Sequence, residues 1–298
     1  MKHSLLNLAQ QLLSPEKRHR IERFTLTVAI VSFLVHLAII LLAASGVVET
    51  DTSSQLLSSP ISALYTPFSF ILVYEVYLLI FYLPQSLSTY INKQYEIILL
   101  IIMRRLFKDL ANLKMSSDWF TLKYDLQFTY DLLTTLLLFY LIYVFSTQSK
   151  RRFTSSNSQV NIDEGTQTYA RIKSIIASGL VPLVFILAIY SFIDWLVGSL
   201  TTGSSTLTEF HGINRVFFEQ FFTLLVIVDV ILLLVSFFHT DKFHVIIRNS
   251  GFIISTILIR MSFNVEGVVN NILVVAAVLF GLLIQLIYNK YEQSNADA

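Results

Sequence analysis

The sequence predicts an all-α integral membrane protein with about eight transmembrane helices. Apolar residues make up 54% of the 298 positions and charged residues only 14%, whereas about a quarter of the residues in a typical soluble domain are charged. Long apolar runs recur along the whole chain, and a bilayer span needs about 20 such residues. Short polar segments with turn-forming residues separate these runs. Together these observations favour a bundle of membrane helices with no large soluble domain.

The apolar runs and the breaks between them define the predicted helices. Proline at position 84 ends the second run, and proline at position 182 predicts a kink in the fifth. The eight predicted helices cover residues 24–48, 61–83, 89–113, 124–145, 170–200, 212–238, 243–263 and 265–288.

Two segments repeat one pattern, an apolar run with a single acid at its centre. Residues 70–79 contain Glu75, and residues 224–233 contain Asp229, which follows Glu75 by 154 positions. At an offset of 155 positions, Arg105 aligns with Arg260. The spacing predicts two four-helix transmembrane repeats, and the boundaries of the apolar runs place them at residues 24–146 and 169–290.

Polar segments flank and join the repeats. Residues 1–23 combine a Leu-rich amphipathic stretch with a basic collar at 17–23, a pattern typical of a short interfacial helix next to a cytoplasmic N-terminus. Residues 147–168 are predicted to be a polar cytoplasmic linker, and residues 291–298 form a short tail. With eight spans, both termini are expected in the cytoplasm, and the protein in the plasma or inner membrane of the cell.

The third predicted helix differs from the others. Its uninterrupted apolar core covers only residues 97–103, and Arg104 and Arg105 follow directly. If this helix crosses, these cations lie on the outer side of the membrane, where the positive-inside rule expects few lysines and arginines. Two explanations stay open. Either the helix crosses with its cations paired to acids inside the protein, or it enters the membrane without crossing.

Charged residues within apolar runs are the candidate functional residues, because each is costly in a bilayer. At 1.5 Å per residue, Glu75 lies about 14 Å from the Pro84 turn and Arg104 about 22 Å from Thr89, so their side chains are within reach of each other. The predicted ion pathway consists of Glu75, Arg104, Arg105, Asp131, Asp194, Asp229 and Arg260.

Acid–arginine pairs of this kind predict a channel or channel-like transporter for a small ion, which we expect to form a homo-oligomer in the lipid bilayer. A purely structural role, in which the pairs only hold helices together, remains open. The rival hypothesis is a non-transporting scaffold or accessory subunit that docks a partner through the basic collar and the linker. A haem-binding electron carrier is the third, with His36, His239 and His244 as candidate ligands.

Other classes of function are disfavoured by residue types and motifs that the sequence lacks. It contains no Ser elbow, His-Glu-x-x-His motif or phosphate-binding loop, so we predict that the protein is not an enzyme. It has no cysteine, which excludes disulfides and thiolate metal sites. The leading hypothesis therefore needs no metal or other cofactor. A net charge of +1 argues against binding to nucleic acid.

Whether the third predicted helix crosses is tested by labelling single cysteines in this cysteine-free chain. We expect Lys114→Cys to react with an impermeant thiol reagent on intact cells, and Ser156→Cys to be protected, because an odd number of crossings separates the two positions. Labelling of Ser156→Cys but not Lys114→Cys would instead make the third helix re-entrant and contradict the two-repeat topology.

Overall fold

The computed structural model describes residues 13–45, 60–112, 123–155, 171–184, 206–238, 242–263 and 267–296, with isolated positions between these ranges. Within these ranges the secondary structure is helical and contains no strand. The predicted all-α class is therefore confirmed.

Eight helices follow one another through the described ranges, and each overlaps one predicted helix in the same order. They are α1 (Pro15–Ala44), α2 (Tyr65–Tyr82), α3 (Leu87–Asn112), α4 (Lys123–Ser155), α5 (described over residues 171–184), α6 (Thr206–Phe237), α7 (Phe243–Ser262) and α8 (Val268–Ala296). A 3₁₀ helix (Pro60–Leu64) leads directly into α2.

Five of these helices are long and apolar enough to span a membrane, namely α1, α4, α6, α7 and α8. The apolar stretch of α2 is shorter, at Thr66–Tyr82. Helix α3 has 26 residues, and its length of about 39 Å is sufficient to cross, but its charged residues keep it outside this group. The chain thus has the helices of a multi-pass membrane protein, while the count of eight spans stays a prediction.

Helix α1 begins earlier than the sequence pattern predicts, at Pro15 and not near residue 24. The Ser14 side chain accepts a hydrogen bond from the Lys17 backbone N–H at 3.4 Å, which satisfies one of the donors left over at a helix start. Proline is favoured at the first helical position because its missing N–H is not needed there. The basic collar therefore lies on the same helix as the apolar run that follows it.

The predicted turn at Pro84 is confirmed. Leu83 closes α2 through a backbone bond to Leu79 at 3.1 Å, and the chain resumes as α3 two residues after the turn. Ser86 caps α3, because its hydroxyl oxygen accepts a bond from the Thr89 N–H at 3.2 Å.

Two helices extend into segments predicted to be irregular. Helix α4 continues to Ser155, through the first part of the predicted linker, and α8 continues to Ala296, through most of the predicted tail. The polar residues that end the apolar runs do not break these helices. Residues 156–167 lie outside the described ranges.

The chain divides into two compact units. The first comprises Met1–Leu78, Leu100–Phe128 and Ser178–Phe222, and the second comprises Leu79–Leu99, Thr129–Ala177 and Thr223–Ala298. Each unit contains segments from both predicted repeats. The repeats themselves stay a prediction.

Aromatic packing holds the centre of the second unit. The ring of Tyr95 on α3 meets Phe145 on α4 edge-on at 5.1 Å, and Phe145 meets Phe252 on α7 at 5.6 Å. All three side chains are fully buried. The Tyr95 hydroxyl lies so close to Gly281 on α8 that a Cβ at this position would overlap it. The absence of a side chain at position 281 therefore allows α3 and α8 to pack this closely.

We predict that Gly281→Ala destabilises the protein by about 1–3 kcal/mol, the usual cost of overpacking a core. The measurement is thermal unfolding of the detergent-solubilised protein. Gly179→Ala is the matched control, because no atom lies within 4 Å of the Cβ that it adds, and alanine favours a helix over glycine by about 1 kcal/mol.

Adding Tyr95→Phe to Gly281→Ala should restore part of the lost stability, since the overlap involves the Tyr95 hydroxyl. Equal melting temperatures for Gly281→Ala and Gly179→Ala would show that α3 and α8 do not approach each other as described.

Candidate functional site

The interior of the second unit contains many polar side chains, although most of its helices are apolar in composition. In a bilayer, water is not available to such groups, so each needs a partner inside the protein. The buried polar and charged residues of this unit are Gln94, Asp131, Thr134, Thr135, Ser149, Lys173, Asp229, Ser236, Arg248, Asn249, Ser255, Thr256, Ser262, Asn270, Asn271 and Gln285.

Helix α7 directs its polar residues inwards. Asn249 and Thr256 are each 5% exposed and lie seven positions, about two helical turns, apart, which places them on one face. Ile254 and Met261, in contrast, are 48% and 57% exposed. This pattern reverses that of a soluble amphipathic helix and fits a helix with lipid on its outer side. The inner face of α7 thus forms a polar file through the core of the second unit.

Asp229, the central acid of α6, is 1% exposed and lies against this file. Gln94 Nε2 on α3 donates a hydrogen bond to Asp229 Oδ2 at 3.0 Å, and Thr256 Oγ1 lies 3.5 Å from the same oxygen. Asp229 Oδ1 has no hydrogen-bond partner among the described residues. We call Asp229, Gln94, Thr256 and Tyr90 the Asp229 centre.

Tyr90 completes this centre from α3. Its side chain is 1% exposed and interacts electrostatically with Asp229, yet its hydroxyl makes no bond of good hydrogen-bond geometry within the described part of the chain. Tyr90 Oη and the Asp229 carboxyl group are therefore buried near each other, and their contact is weaker than a well-formed hydrogen bond.

The hydrogen-bond partners of Asp229 are neutral. The single hydroxyl proton of Thr256 is better placed for the Ile253 carbonyl, at 2.9 Å, than for Asp229, so Gln94 is the one well-placed donor. Among the described residues, no lysine or arginine forms an ion pair with Asp229. An ionised carboxylate here would lack a compensating charge, whereas a protonated one can donate through its own O–H.

Asp131 is the second buried acid of this unit, but its surroundings differ. It is 0% exposed on α4, and Asn271 on α8 donates to its Oδ1 at 2.6 Å. The Thr135 hydroxyl bonds back to the Asp131 backbone carbonyl at 2.7 Å. Next to it, Asn270 donates to the Ser262 carbonyl at the end of α7. This group connects α4, α7 and α8.

One end of the second unit carries a cluster of cations and aromatic rings, which we call the basic end (Lys173, His244, Arg248, Tyr288 and Glu292). Lys173 donates to the Gln85 carbonyl at 2.8 Å. The Arg248 guanidinium lies 4.3 Å from the centre of the Tyr288 ring, a cation–π contact. His244 and Tyr288 both bond to Glu292 Oε1, at 2.7 and 3.0 Å.

Amide side chains connect the start of α3 with the ends of α4 and α8. Ser88 bonds to Gln285 at 3.4 Å, Gln285 donates to Asn289 at 2.8 Å, and Asn289 donates to the Gln148 carbonyl at 3.1 Å. The start of α3 therefore lies beside the end of α4, so within this unit the two helices run antiparallel.

The predicted pathway residues are divided between the two units. Asp131, Asp229 and Arg260 belong to the second unit, but Arg260 Nη2 donates to Thr223 at 2.9 Å, and Asp229 has Gln94 as its hydrogen-bond donor. The predicted Asp229–Arg260 pair is therefore not brought together. Counted from the α6–α7 turn, the two residues differ in height by about 14 Å.

The remaining predicted site residues are elsewhere. Glu75 on α2 and Arg104 and Arg105 on α3 belong to the first unit, where each is partly buried and has interactions of its own. Their mutual pairing stays a prediction. Asp194 lies outside the described residues.

Two of the three histidines considered as haem ligands have other partners. His36 on α1 hydrogen-bonds to Thr66 on α2, and His244 bonds to Glu292. His239 lies outside the described residues. Within the described part, no group of three or more His, Asp or Glu residues is placed to hold a metal ion.

Sequence reasoning missed the neutral members of the site. Gln94, Thr256 and Asn271 are not selected by a search that starts from charged residues, whereas Tyr90 belongs to a group of tyrosines near Pro84 whose hydroxyls could serve charged residues. A signal was present for Thr256, since it follows Asn249 by seven positions within the apolar run of α7. No local pattern marks Gln94 as a partner of Asp229, which is 135 positions away.

Comparisons with models of protein families, with curated proteins and with solved structures found no match to this chain. The functional argument therefore depends on the chemistry of the site.

The Asp131–Asn271 contact should act as a structural tie. We expect Asn271→Leu to destabilise the protein by about 1–3 kcal/mol, because it removes a donor from a buried carboxyl group. The double variant Asp131→Leu/Asn271→Leu should recover part of this loss, since it removes the donor and the acceptor of this contact together. Chemical denaturation in detergent micelles measures the free energy of unfolding of both variants.

Asn295→Leu, an exposed change on the same helix, serves as the control and should leave stability nearly unchanged. If the double variant is less stable than Asn271→Leu alone, Asp131 stabilises the fold through interactions other than this contact.

Proposed function

We propose that this protein moves a small cation, in the simplest case a proton, across the membrane, and that Asp229 is the group that binds it. The observation that carries the proposal is the state of the Asp229 carboxyl group. It is 1% exposed within a helix long and apolar enough to span a bilayer, has neutral partners, and keeps one oxygen without a hydrogen bond of good geometry among the described residues. Ionisable residues in such positions commonly mark ion paths and proton relays.

The arrangement around Asp229 suits a carboxyl group that gains and loses a proton. When Asp229 is protonated on Oδ1, its O–H can donate to the nearby Tyr90 oxygen. When it is ionised, a rotation of the Tyr90 hydroxyl allows that O–H to donate to Oδ1 instead. Gln94 donates to Oδ2 in both states. Asp229 and Tyr90 can therefore hydrogen-bond to each other in both protonation states of Asp229, with Asp229 as the donor in one state and Tyr90 as the donor in the other.

The polar file of α7 provides a direction for movement beyond this centre. At 1.5 Å per residue, Asn249 lies about 10 Å from Thr256 on the same face of α7, towards one end of the unit. Both residues are buried. Spacings of this size are bridged by a few ordered water molecules, which bind buried polar groups readily.

The scaffold hypothesis is supported by a different acid. Asp131 has a good donor in Asn271 at 2.6 Å and connects two helices, as a structural tie does. The two acids thus favour different roles, and the proposal of transport depends on Asp229. The predicted pathway roles of Glu75, Arg104, Arg105, Asp194 and Arg260, and assembly as a homo-oligomer, are further parts of the proposal.

We expect Asp229→Asn to lower proton flux by about a hundredfold or more, the usual effect of removing a positioned proton acceptor. The measurement uses the purified protein in liposomes that contain a pH-sensitive dye, with a potassium diffusion potential as the driving force. Asparagine has nearly the same shape and can keep the Gln94 contact, so the fold should persist. Tyr90→Phe should slow flux without abolishing it.

Glu96→Gln is the matched control, because Glu96 is an acid on α3 whose carboxylate is bound by Asn92 and Lys93 outside the centre. Its flux should equal that of the unmodified protein. Equal flux from folded Asp229→Asn would contradict the assignment of Asp229. If the unmodified protein passes neither protons, sodium nor potassium, transport itself is wrong and the scaffold hypothesis takes its place.

A further inference from the structure

Helix α4 exposes one face along the middle of its apolar stretch. Leu133, Leu136, Tyr140 and Tyr143 are between 58% and 64% exposed, and they follow one another at spacings of three, four and three residues. Leu138, on the opposite side of the helix, is fully buried. Spacings of this kind match the a and d positions of a heptad, at which parallel helices pack against each other. We call these four residues the tyrosine seam.

The seam places two hydroxyl groups deep in the membrane. The part of α4 that is long and apolar enough to span covers Asp125–Lys150, so Tyr140 lies about 15 Å from the nearer end of the span. Side chains on a helix lean towards its N-terminus, which for Tyr140 and Tyr143 is the direction of the middle of the span. Tyrosines of membrane helices are enriched at the two membrane surfaces instead, where their hydroxyls reach water and headgroups.

In the part of the chain that the structure describes, neither of these two hydroxyls has a hydrogen-bond partner. Thr147 bonds to Tyr143 at 2.9 Å, but the acceptor is the backbone carbonyl and not the phenol. Lipid chains can neither donate nor accept a hydrogen bond, and a hydroxyl that is moved from water into an apolar environment without a partner costs free energy. The two hydroxyls therefore favour a polar partner at the same depth in the membrane.

The exposed faces of the other spanning helices are different. On α1, α6 and α7 the large exposed side chains of the described residues are aliphatic, phenylalanine or methionine, and the same holds on α8 as far as Ile287. Such faces suit lipid chains, because their large side chains present no hydroxyl to the hydrocarbon. Among the five spanning helices, α4 thus has the face whose chemistry fits another protein surface better than lipid.

We propose that a second copy of this chain covers the tyrosine seam, with the two α4 helices parallel and related by a twofold axis along the membrane normal. Two copies that insert in the same orientation have Tyr140 at the same depth, and a twofold axis brings the same surface of each copy together. A tyrosine hydroxyl both donates and accepts, so each can bond to a hydroxyl of the other copy. Hydrogen bonds between side chains stabilise helix association in membranes.

This interface specifies the homo-oligomer that is part of the proposed function, and it rests on that part alone. Association of copies is measured without an ion gradient, so the two proposals fail separately. A monomeric protein that passes protons would contradict the interface and leave the role of Asp229 intact. A dimer that passes no ion would contradict transport and leave the interface intact.

Cysteine cross-linking in native membranes tests the interface, because the chain contains no cysteine of its own. On oxidation with copper phenanthroline, Leu133→Cys or Leu136→Cys should form a disulfide-linked dimer, since the axis brings the seams together. Ile272→Cys on α8 is the matched control, because Ile272 is 61% exposed, as Leu136 is, and it should stay monomeric. Equal cross-linking at positions 136 and 272, or no dimer from either seam variant, would overturn the proposal. A product of another mass would overturn it in favour of a different partner protein.

A second measurement tests the hydroxyls themselves. Tyr140→Phe/Tyr143→Phe removes two oxygen atoms and keeps both rings, so the fold should persist. We expect the association constant of the dimer to fall by about fivefold or more, the equivalent of about 1 kcal/mol of hydrogen bonding between helices. Energy transfer between copies labelled at Asn295→Cys, recorded in liposomes over a range of protein-to-lipid ratios, gives this constant.

Tyr130→Phe is the control for the double variant. Tyr130 is 41% exposed on the same helix, but it lies off the seam and five residues from Asp125, where the span begins and the hydroxyl reaches headgroups and water. Its association constant should equal that of the unmodified protein. An equally unchanged constant for Tyr140→Phe/Tyr143→Phe would show that these hydroxyls do not bond between copies, and would overturn the proposal.

Discussion

A buried polar group in a membrane protein has no water to bond to, so it must find its partner on another part of the chain. This constraint explains much of how the second unit is organised. Tyr95 bonds to Ser255 at 2.7 Å, and Ser255 donates to the Ala277 carbonyl at 2.7 Å, so the one hydroxyl proton of Ser255 is used and the Tyr95 O–H must be the donor to it. This chain of two bonds connects α3, α7 and α8. A shift of any of these helices along its axis would break a bond that water could not replace.

The two buried acids of the second unit show how the same chemical group can serve different purposes. Asp131 is bound by an amide at 2.6 Å and connects helices. Asp229 has an equally buried carboxyl group, but its polar neighbours are neutral, and its contact with the Tyr90 hydroxyl falls short of good hydrogen-bond geometry. A carboxyl group among neutral partners is costly to bury in its ionised form. This environment supports the proposal that Asp229 binds an ion as part of the function.

The basic end illustrates how a charge pattern in sequence and a site in space differ. Lys173, Arg248 and Lys290 are far apart in the chain and look like separate topology signals, as the positive-inside rule would read them. Folding collects them at one end of the second unit, with Tyr288 against Arg248 at 4.3 Å and an apolar pocket beside them.

The sequence by itself determined the helical class, the order of the helices and the turn at Pro84, because apolar runs, caps and prolines act over a few neighbouring residues. It also marked Asp131 and Asp229 as unusual, since an acid within an apolar run is conspicuous without any structure. Only the tertiary structure decided which acid is satisfied and by what, because those partners lie far away in the chain: Gln94 and Asp229 are 135 positions apart, and Asp131 and Asn271 are 140 apart. The sequence around a neutral amide or hydroxyl residue does not show which carboxyl group its side chain will hydrogen-bond to in the folded protein. Their contacts depend on helix packing, which no short stretch of sequence specifies.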